Sequence, residues 1–471
     1  MKEIDYIQTD VLVIGSGLAG LRSGISALEK KSGIKVLIVS QGTGPVGSSF
    51  TNRNGKLGMQ VCFTEPEKEA FVRETMQIAS PGMIQPELVN LMAGESDDCF
   101  RFFKNHKIRF QRDEKGLMAR LPGCFSPDSE RAVVFSDLGQ AFQNLNNKYL
   151  ALSGNRIDNF SLLFLLNQTA VDGRQVCGGL FVSEKTGKYC VVSSKVTILA
   201  TGGTTPLFFW NVGGDSLSGY SPALLKNAGA EIVNEGFHQF IWHNTQTLEP
   251  VYPARYLQNG AMIRNGVSHV KTIPEIVLAS LADRTTHVPA AYGFPDIEME
   301  RFLLNLSDRN GVVSFITPEQ KLISAALFAH AWNGGAKIDV NGWTGVPGLF
   351  ACGECASGMH GANRLGGAMV LATQVFGRRA GAQAARILGN MAPVQKSECI
   401  IRAGEIINAA KKTSVNYIDS SFKKRVYMNG LFKLCNVRKA FDETLNTQTA
   451  VVSDTESIQS TLMADSAGII L

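Results

Sequence analysis

Two hydrophobic periods mark this chain. Asp10–Ile14 is a short apolar run of strand type, Leu21–Lys30 carries helical spacing, and Lys35–Val39 is a second apolar run. Together they predict a βαβ unit of about thirty residues. Helical spacing recurs over Pro66–Ile78, Gln85–Asn105 and Asp137–Leu150, with Pro66 suited to a first helical position. Asp172–Cys190 alternates and predicts a β-hairpin layer, with turns at Gly178-Gly179 and Glu184–Gly187, ahead of an apolar strand around Ile198. A helix of small residues is expected over Met369–Ile387. The longest apolar runs, Ser161–Leu166 and Gly366–Ala372, are core-sized, well short of the roughly 18–20 residues that a membrane span needs.

The βαβ unit holds the first candidate chemistry. Gly15-Ser16-Gly17-Leu18-Ala19-Gly20 falls between its first strand and its helix. In this context Gly15 permits the tight turn, Gly17 lets backbone N–H groups approach a pyrophosphate, and Gly20 lets helix and strand pack closely. The helix N-terminus faces the negative charge, so Gly15, Gly17, Leu18, Ala19 and Gly20 are expected at a dinucleotide. An acidic residue normally closes the second strand and binds ribose hydroxyls; Ser40-Gln41 stands there instead. Gly42–Gly58 follows with five glycines in seventeen residues, a loop whose backbone can lie against a flat cofactor.

Composition narrows the class. The 471 residues are 44% hydrophobic and 18% charged, which fits two or three globular domains. Lys+Arg of 46 against Asp+Glu of 41 leaves a formal +5 with the basic residues scattered. That argues against a nucleic-acid surface and fits a small anionic substrate. The stretch Met1-Lys2-Glu3-Ile4-Asp5 contains acidic residues and no apolar h-region, so no secretory signal is expected. Nine unevenly spaced cysteines do not suggest a disulfide framework. A cytoplasmic protein is expected.

The later motifs carry a family likeness. Thr197–Leu199 runs into Ala200-Thr201-Gly202-Gly203. His330 precedes Gly334-Gly335, and Gly353-Glu354 leads through His360-Gly361-Ala362-Asn363-Arg364-Leu365-Gly366-Gly367-Ala368-Met369 to Gly381. With Gly15–Gly20, this set resembles the flavoproteins of the fumarate reductase, succinate dehydrogenase and L-aspartate oxidase family. The resemblance implies an FAD-dependent oxidoreductase, with Ser40, Gln41, Gly47, Ser48, Ser49, Ala200, Thr201, Gly202, Gly203, Glu354, Arg364, Gly367, Ala368 and Met369 at the cofactor. Glu354, read as ending a strand, would accept from ribose or ribityl hydroxyls, and the following helix would aim its N-terminal N–H groups at the flavin's pyrimidine side. Arg364 offers a guanidinium fork for a substrate carboxylate, and His330 resembles the family's second carboxylate anchor. Membrane-bound relatives attach flavin through a histidine after the second strand. Gly47–Thr51 has none, which implies non-covalent FAD.

The fold class expected is α/β: a Rossmann-type FAD-binding domain, discontinuous over 1–235 and 336–395, with an inserted α+β capping domain at 236–335 and a short helical C-terminal segment at 396–471. The chain departs from the family where the cap begins. Ile241 stands where relatives have a histidine, with His243 two residues on as its substitute. The family's proton-shuttling arginine motif, Pro-Arg-Asp-Val, is absent, leaving Arg255, Arg264 and Arg284 as candidates. Cys352-Gly353-Glu354-Cys355 reads as buried thiols, and the other seven cysteines form no cluster, so no metal or iron–sulfur centre is expected. Two functional classes stay open: an oxidoreductase acting on a dicarboxylate or amino acid, with hydride exchange at flavin N5, and a flavin-carrying or degenerate subunit completed by an electron-transfer partner. A dinucleotide-binding regulator is a third.

Overall fold

A computed structural model describes residues 4–170, 173–214, 216–265, 268–270, 272–282, 284, 287–410, 420–435 and 454–470. Asp172, the expected start of the hairpin layer, lies outside them.

The first element, β1 (Asp5–Ile14), starts five residues earlier than its apolar core; α1 spans Leu18–Lys30 and β2 spans Val36–Ser40. Strand β1 is the hub of a seven-stranded sheet. It pairs in parallel with β2, Val11 opposite Val36, and on its other side with the long strand Tyr189–Leu199, Ile14 opposite Leu199. Strand Asn155–Asp158 extends the parallel set beyond β2, and Leu349–Ala351 joins the far end of Tyr189–Leu199. The apolar runs are buried on both faces, as parallel strands covered by helices must be. Helix Glu65–Ile78 starts one residue ahead of the expected Pro66, with Thr64 closing a capping box with Glu67.

The hairpin layer is antiparallel: Phe160–Ala170 pairs Gly173–Ser183, which pairs Tyr189–Leu199. The expected turn at Gly178-Gly179 is not there. Both glycines lie inside Gly173–Ser183, and only 184–187 turns. Gly178 has φ +130°, and a Cβ on it would stand 2.7 Å from the Ser193 Cα on the neighbouring strand. Its glycine therefore serves close strand approach at an irregular register. Leu166 pairs Gly178 and Asn167 pairs Val176, so Cys177 is the extra residue of a β-bulge.

Between 238 and 332 the chain forms a second, five-stranded antiparallel sheet in the order His238–Asn244, Leu322–Trp332, Val313–Ile316, Met262–Asn265, Ser268–Val270. It has its own apolar core around Trp242, Trp332, Phe240 and Phe315, with helix Ile297–Leu306 adding Leu303 and Leu304. The chain then returns to the first sheet. Helix Ala368–Ile387 lies along α1 at close range, because Gly377 and Gly381 present no side chains; a Cβ on Gly381 would be 2.8 Å from the Ser23 carbonyl carbon. Ser26 Oγ donates to the Arg378 carbonyl across this contact at 2.7 Å. Helices Lys396–Ala410, Ser420–Cys435 and Asp454–Ile470 complete the described chain.

Candidate functional site

The C-terminal ends of β1 and β2 open into a cleft enclosing about 1370 Å³ including its solvent-filled mouth. Its floor is the glycine motif, and the three glycines have different surroundings. Gly15 has φ +107°, and a Cβ there would lie 2.8 Å from the Ala200 carbonyl carbon. A Cβ on Gly20 would lie 2.9 Å from the Gly15 carbonyl carbon and closer still to its oxygen. At Gly17 the nearest atom is Ser49 Oγ at 3.5 Å, so the space a side chain would fill is left to the cleft. Gly17 caps α1, whose N-terminus therefore faces open volume. This is a cradle for an anion held by backbone N–H groups.

Ile14–Ala19, Ser40, Gln41, Gly47, Ser48, Ser49, Ala200, Thr201, Gly202, Glu354, Arg364, Gly367 and Met369 all line the cleft. Three expected cofactor residues do not: Gly20 is packed onto Gly15, Gly203 lies against Glu354 with a virtual Cβ 2.5 Å from its Cδ, and Ala368 is buried inside its helix. Glu354 does not end a strand. Its strand stops at Ala351, and a single 3-10 turn, Gly353–Cys355, turns the carboxylate into the cleft. One oxygen accepts from the Trp332 backbone N–H at 2.8 Å, and burial raises the carboxyl above its usual range. Helix Ala368–Ile387 starts at the wall, with Gly367 as N-cap in the left-handed region (φ +85°).

The sequence missed the opposite wall. Phe160, Ser161 and Leu162 come from the hairpin layer, Ser216–Ser218 and Tyr220 from the loop before helix Ser221–Asn227, and Asn52, Asn54 and Lys56 from the end of the glycine loop. The first two groups lack a local motif, whereas Asn52, Asn54 and Lys56 belong to the Gly42–Gly58 loop expected against a flat cofactor. The buried atoms Ser48 Oγ, Asn52 Oδ1 and Thr201 Oγ1 have no protein partner although they border the cleft. Unpartnered polar atoms in a buried wall are costly unless a ligand or water satisfies them. With the Gly17 cradle, this donor and acceptor set fits FAD.

At the inner end stand the anchors. His330 is reached by a second bulge: Phe240 pairs Ala329 and Gln239 pairs Ala331, leaving His330 as the extra residue turned into the cleft. Its Nδ1 has no partner. Burial first, then the Arg364 charge and His243, push its pKa down to about 3, so the ring is neutral at physiological pH. Arg364 is buried and lines the same cleft. Burial lowers its pKa to about 10, which leaves it charged, and its Nε is unpartnered. Gln239, singled out by no sequence argument, grips it twice: Gln239 Oε1 accepts from Arg364 Nη2, and Gln239 Nε2 donates to the Arg364 carbonyl at 2.9 Å.

His243 is not in the cleft wall. It shares the strand face of Ile241 but sits about 7 Å farther along, with no exposed surface, Nδ1 against the Leu248 carbonyl at 2.8 Å and Nε2 unpartnered. Burial holds it below the usual histidine range. His360 is buried beside Arg364 with both ring nitrogens unpartnered and its pKa well below normal. Of the three arginine candidates, Arg255 stacks over Tyr252 and Arg264 is exposed on its strand. Arg284 is buried but occupied: it donates to Glu300 at 2.7 Å and to the His287 and Pro289 carbonyls, with Asp296 3.5 Å from Nε. None of the three lines the cleft.

The cysteines need one correction. Cys352 and Cys355 are buried and their thiols contact backbone carbonyls, Cys355 at Leu199 O. Cys177 and Cys399, expected to be isolated, meet with sulfurs 3.3 Å apart. Among the described residues no group of three or more His, Cys, Asp or Glu is arranged to hold a metal, and no helix is long and apolar enough to cross a membrane.

Known proteins share this chain's sequence pattern and fold. One subunit of the fumarate reductase (CoM/CoB) of Methanothermobacter marburgensis is 27% identical over 414 residues, 82% of this chain and 74% of that protein. An L-aspartate oxidase of Clostridium acetobutylicum is 26% identical over 403 residues, 79% of this chain and 87% of that protein. In fold, Mycobacterium smegmatis Sdh1 superposes with a TM-score of 0.72 at 19% identity, covering 99% of this chain and 86% of that one. FrdA of the E. coli quinol fumarate reductase gives 0.70 at 18%, covering 99% and 88%. The family model described as FAD binding domain matches residues 10–285 and 297–370. The chain thus belongs to the FAD-binding-domain family, as a divergent FAD-dependent oxidoreductase alongside the fumarate reductase and L-aspartate oxidase flavoproteins.

Proposed function

We propose that this enzyme oxidises or reduces a small carboxylate-bearing substrate, a dicarboxylate or an amino acid, at the inner end of the cleft. The observation that carries this is Arg364: a buried guanidinium in the cleft wall whose Nε has no partner and whose Nη2 bonds only neutral Gln239. Glu354 acts on this buried cation only at longer range, with no direct ion pair, and an incoming carboxylate in contact with the fork would offset the cost of burying it. FAD, when bound, supplies two-electron hydride chemistry at its ring. The protein's part is binding and orientation. Arg364 would fix the carboxylate through a bidentate fork. Gln239 would hold the plane of that fork. His330, neutral and fixed on its bulge, would donate or accept one hydrogen bond without adding charge. The second sheet, within the span 236–335, would form the cap that excludes water.

The relatives' names divide between dicarboxylate reduction and aspartate oxidation, and the anchors serve both. With Arg255 and Arg264 at the surface and Arg284 engaged by Glu300, none of these three arginines lines the cleft to act as a proton shuttle. That favours, as second reading, a cytoplasmic flavin-carrying subunit whose turnover is completed by a partner, since the Methanothermobacter relative is itself named as one subunit of its enzyme. The test is anaerobic. Holoenzyme is titrated with fumarate, succinate and L-aspartate while the flavin spectrum is followed, with Arg364→Ala beside it. The spectral shift should vanish in Arg364→Ala while FAD stays bound; an undiminished shift would overturn the assignment. Turnover that appears only with a co-purifying partner would select the subunit reading.

A further inference from the structure

Cys177 and Cys399 come from elements 222 residues apart, yet both are wholly buried and their sulfurs lie 3.3 Å apart. Two features hold them there. Cys177 is the extra residue of the bulge in strand Gly173–Ser183, turned out of the regular ladder beside Gly178. Cys399 lies in the first turn of helix Lys396–Ala410, which is tied to the same sheet by polar contacts with the adjacent strand Phe160–Ala170. Glu398 accepts from the Thr169 backbone N–H at 2.9 Å, Gln168 Nε2 donates to the Pro393 carbonyl at 3.0 Å, and Gln168 Oε1 accepts from Gln395 N–H at 3.0 Å. A disulfide needs the sulfurs only about 1.3 Å closer, a shift within reach of a surface helix.

We propose that Cys177 and Cys399 form a reversible, peroxide-driven disulfide that locks helix Lys396–Ala410 to the flavin-bearing sheet. Cys399 sits in the first turn of helix Lys396–Ala410, where the helix dipole favours a thiolate, and the hydrogen bond with Cys177 holds it below the ordinary thiol range, so Cys399 is the attacking sulfur. When the first turn of helix Lys396–Ala410 frays open and admits the oxidant, the Cys399 thiolate attacks one oxygen of hydrogen peroxide. The O–O bond breaks, a sulfenic acid forms, and hydroxide leaves to be protonated to water. The Cys177 sulfur then attacks the Cys399 sulfur, the S–S bond forms, and the sulfenic oxygen leaves as a second water, taking up the Cys177 proton. One peroxide is reduced and two thiols are oxidised.

The test uses holoenzyme treated with hydrogen peroxide, quenched by alkylation and digested without reductant. A peptide joining Cys177 to Cys399 should appear, lighter than the two reduced peptides by the two thiol hydrogens, and disappear on dithiothreitol; the other seven cysteines should be recovered alkylated. Oxidised holoenzyme should melt several degrees higher than reduced holoenzyme, and Cys399→Ser should abolish both the peptide and the difference. Sulfinic acid at Cys399 without a cross-link, or a cross-link that forms only after the protein is unfolded, would overturn the proposal. The wild-type peptide map decides even if the Cys399→Ser variant fails to fold.

Discussion

Alanine at Gly17 and at Gly20 should fail in opposite ways, although the two positions are three residues apart. At Gly20 the new methyl would meet the Gly15 backbone, 2.9 Å from its carbonyl carbon, and backbone cannot turn aside. Overpacking of that kind costs about 1–3 kcal/mol or more, so Gly20→Ala should lower the melting temperature of the apoprotein and the holoprotein alike. At Gly17 the backbone is already extended (φ −68°, ψ −175°), a conformation alanine adopts freely, and the methyl meets only Ser49 Oγ at 3.5 Å. The apoprotein should therefore keep its stability or gain about 0.4–1 kcal/mol from a less free unfolded chain. The loss falls on the cofactor: the methyl occupies the pyrophosphate's space, and losing one or two backbone hydrogen bonds to a charged group, about 1.5–3 kcal/mol each, should weaken FAD by at least tenfold. The assay pairs calorimetry of both apoproteins with FAD titration by flavin fluorescence. A Gly17→Ala apoprotein that melts early while binding FAD normally would refute the assignment of the cradle.

The remaining expectations concern the anchors and the cofactor. Gln239→Ala should leave FAD content unchanged and lower kcat/KM by about tenfold, the worth of one good hydrogen bond aiming Arg364; full activity would make the contact incidental. His330 has a folded pKa of about 3 against about 6.5 unfolded, so its contribution is present above pH 6.5 and is lost as pH falls below it, because the unfolded chain then binds more protons. Lowering the pH from 7.5 to 5 would cost about 2 kcal/mol for a fully desolvated ring. Halved for its partial exposure to the cleft, this leaves about 1 kcal/mol, which His330→Asn should remove from the denaturation-versus-pH slope. FAD should leave the protein on acid precipitation, since Gly47–Thr51 offers no histidine for attachment; flavin retained in the pellet would reverse this.

What the sequence disclosed is what short-range chemistry encodes. The order strand, glycines, helix, strand was readable because each element fixes its own period and the glycines punctuate them. Glu354 and Arg364, embedded in a dense motif, do line the cleft, although Glu354 sits on a 3-10 turn and not at a strand end. The expected turn at Gly178-Gly179 failed because a glycine pair signals either a turn or a close backbone approach, and only the cross-strand neighbour Val192–Ser193 decides which. His330 was recognisable as a residue type, but the bulge that turns it into the cleft depends on Gln239 and Phe240, ninety residues earlier. Gln239 carries no charge; it lies in Phe237–Phe240, the stretch that resembles the family's Phe-x-Gln-Phe, but its role exists only through Arg364. The same holds for Ser161 and Tyr220 across the cleft, and for the meeting of Cys177 with Cys399. Each is a relation between distant segments, which no window along the chain contains.

The close seating of α1 on helix Ala368–Ile387 also sets a timetable. The hydrogen bond from Ser26 to Arg378 spans 352 residues, and the contact of Cys352 with the Ala19 carbonyl spans 333. At about 5–20 residues per second, a ribosome takes on the order of half a minute to deliver the second partner after the first. Throughout that interval the apolar faces of β1 and α1 lack the surface that buries them. The nucleotide cradle, encoded first, is therefore finished last. Chains that end before residue 387 should emerge colourless and depend on chaperones, and flavin should enter only once synthesis of this region is complete.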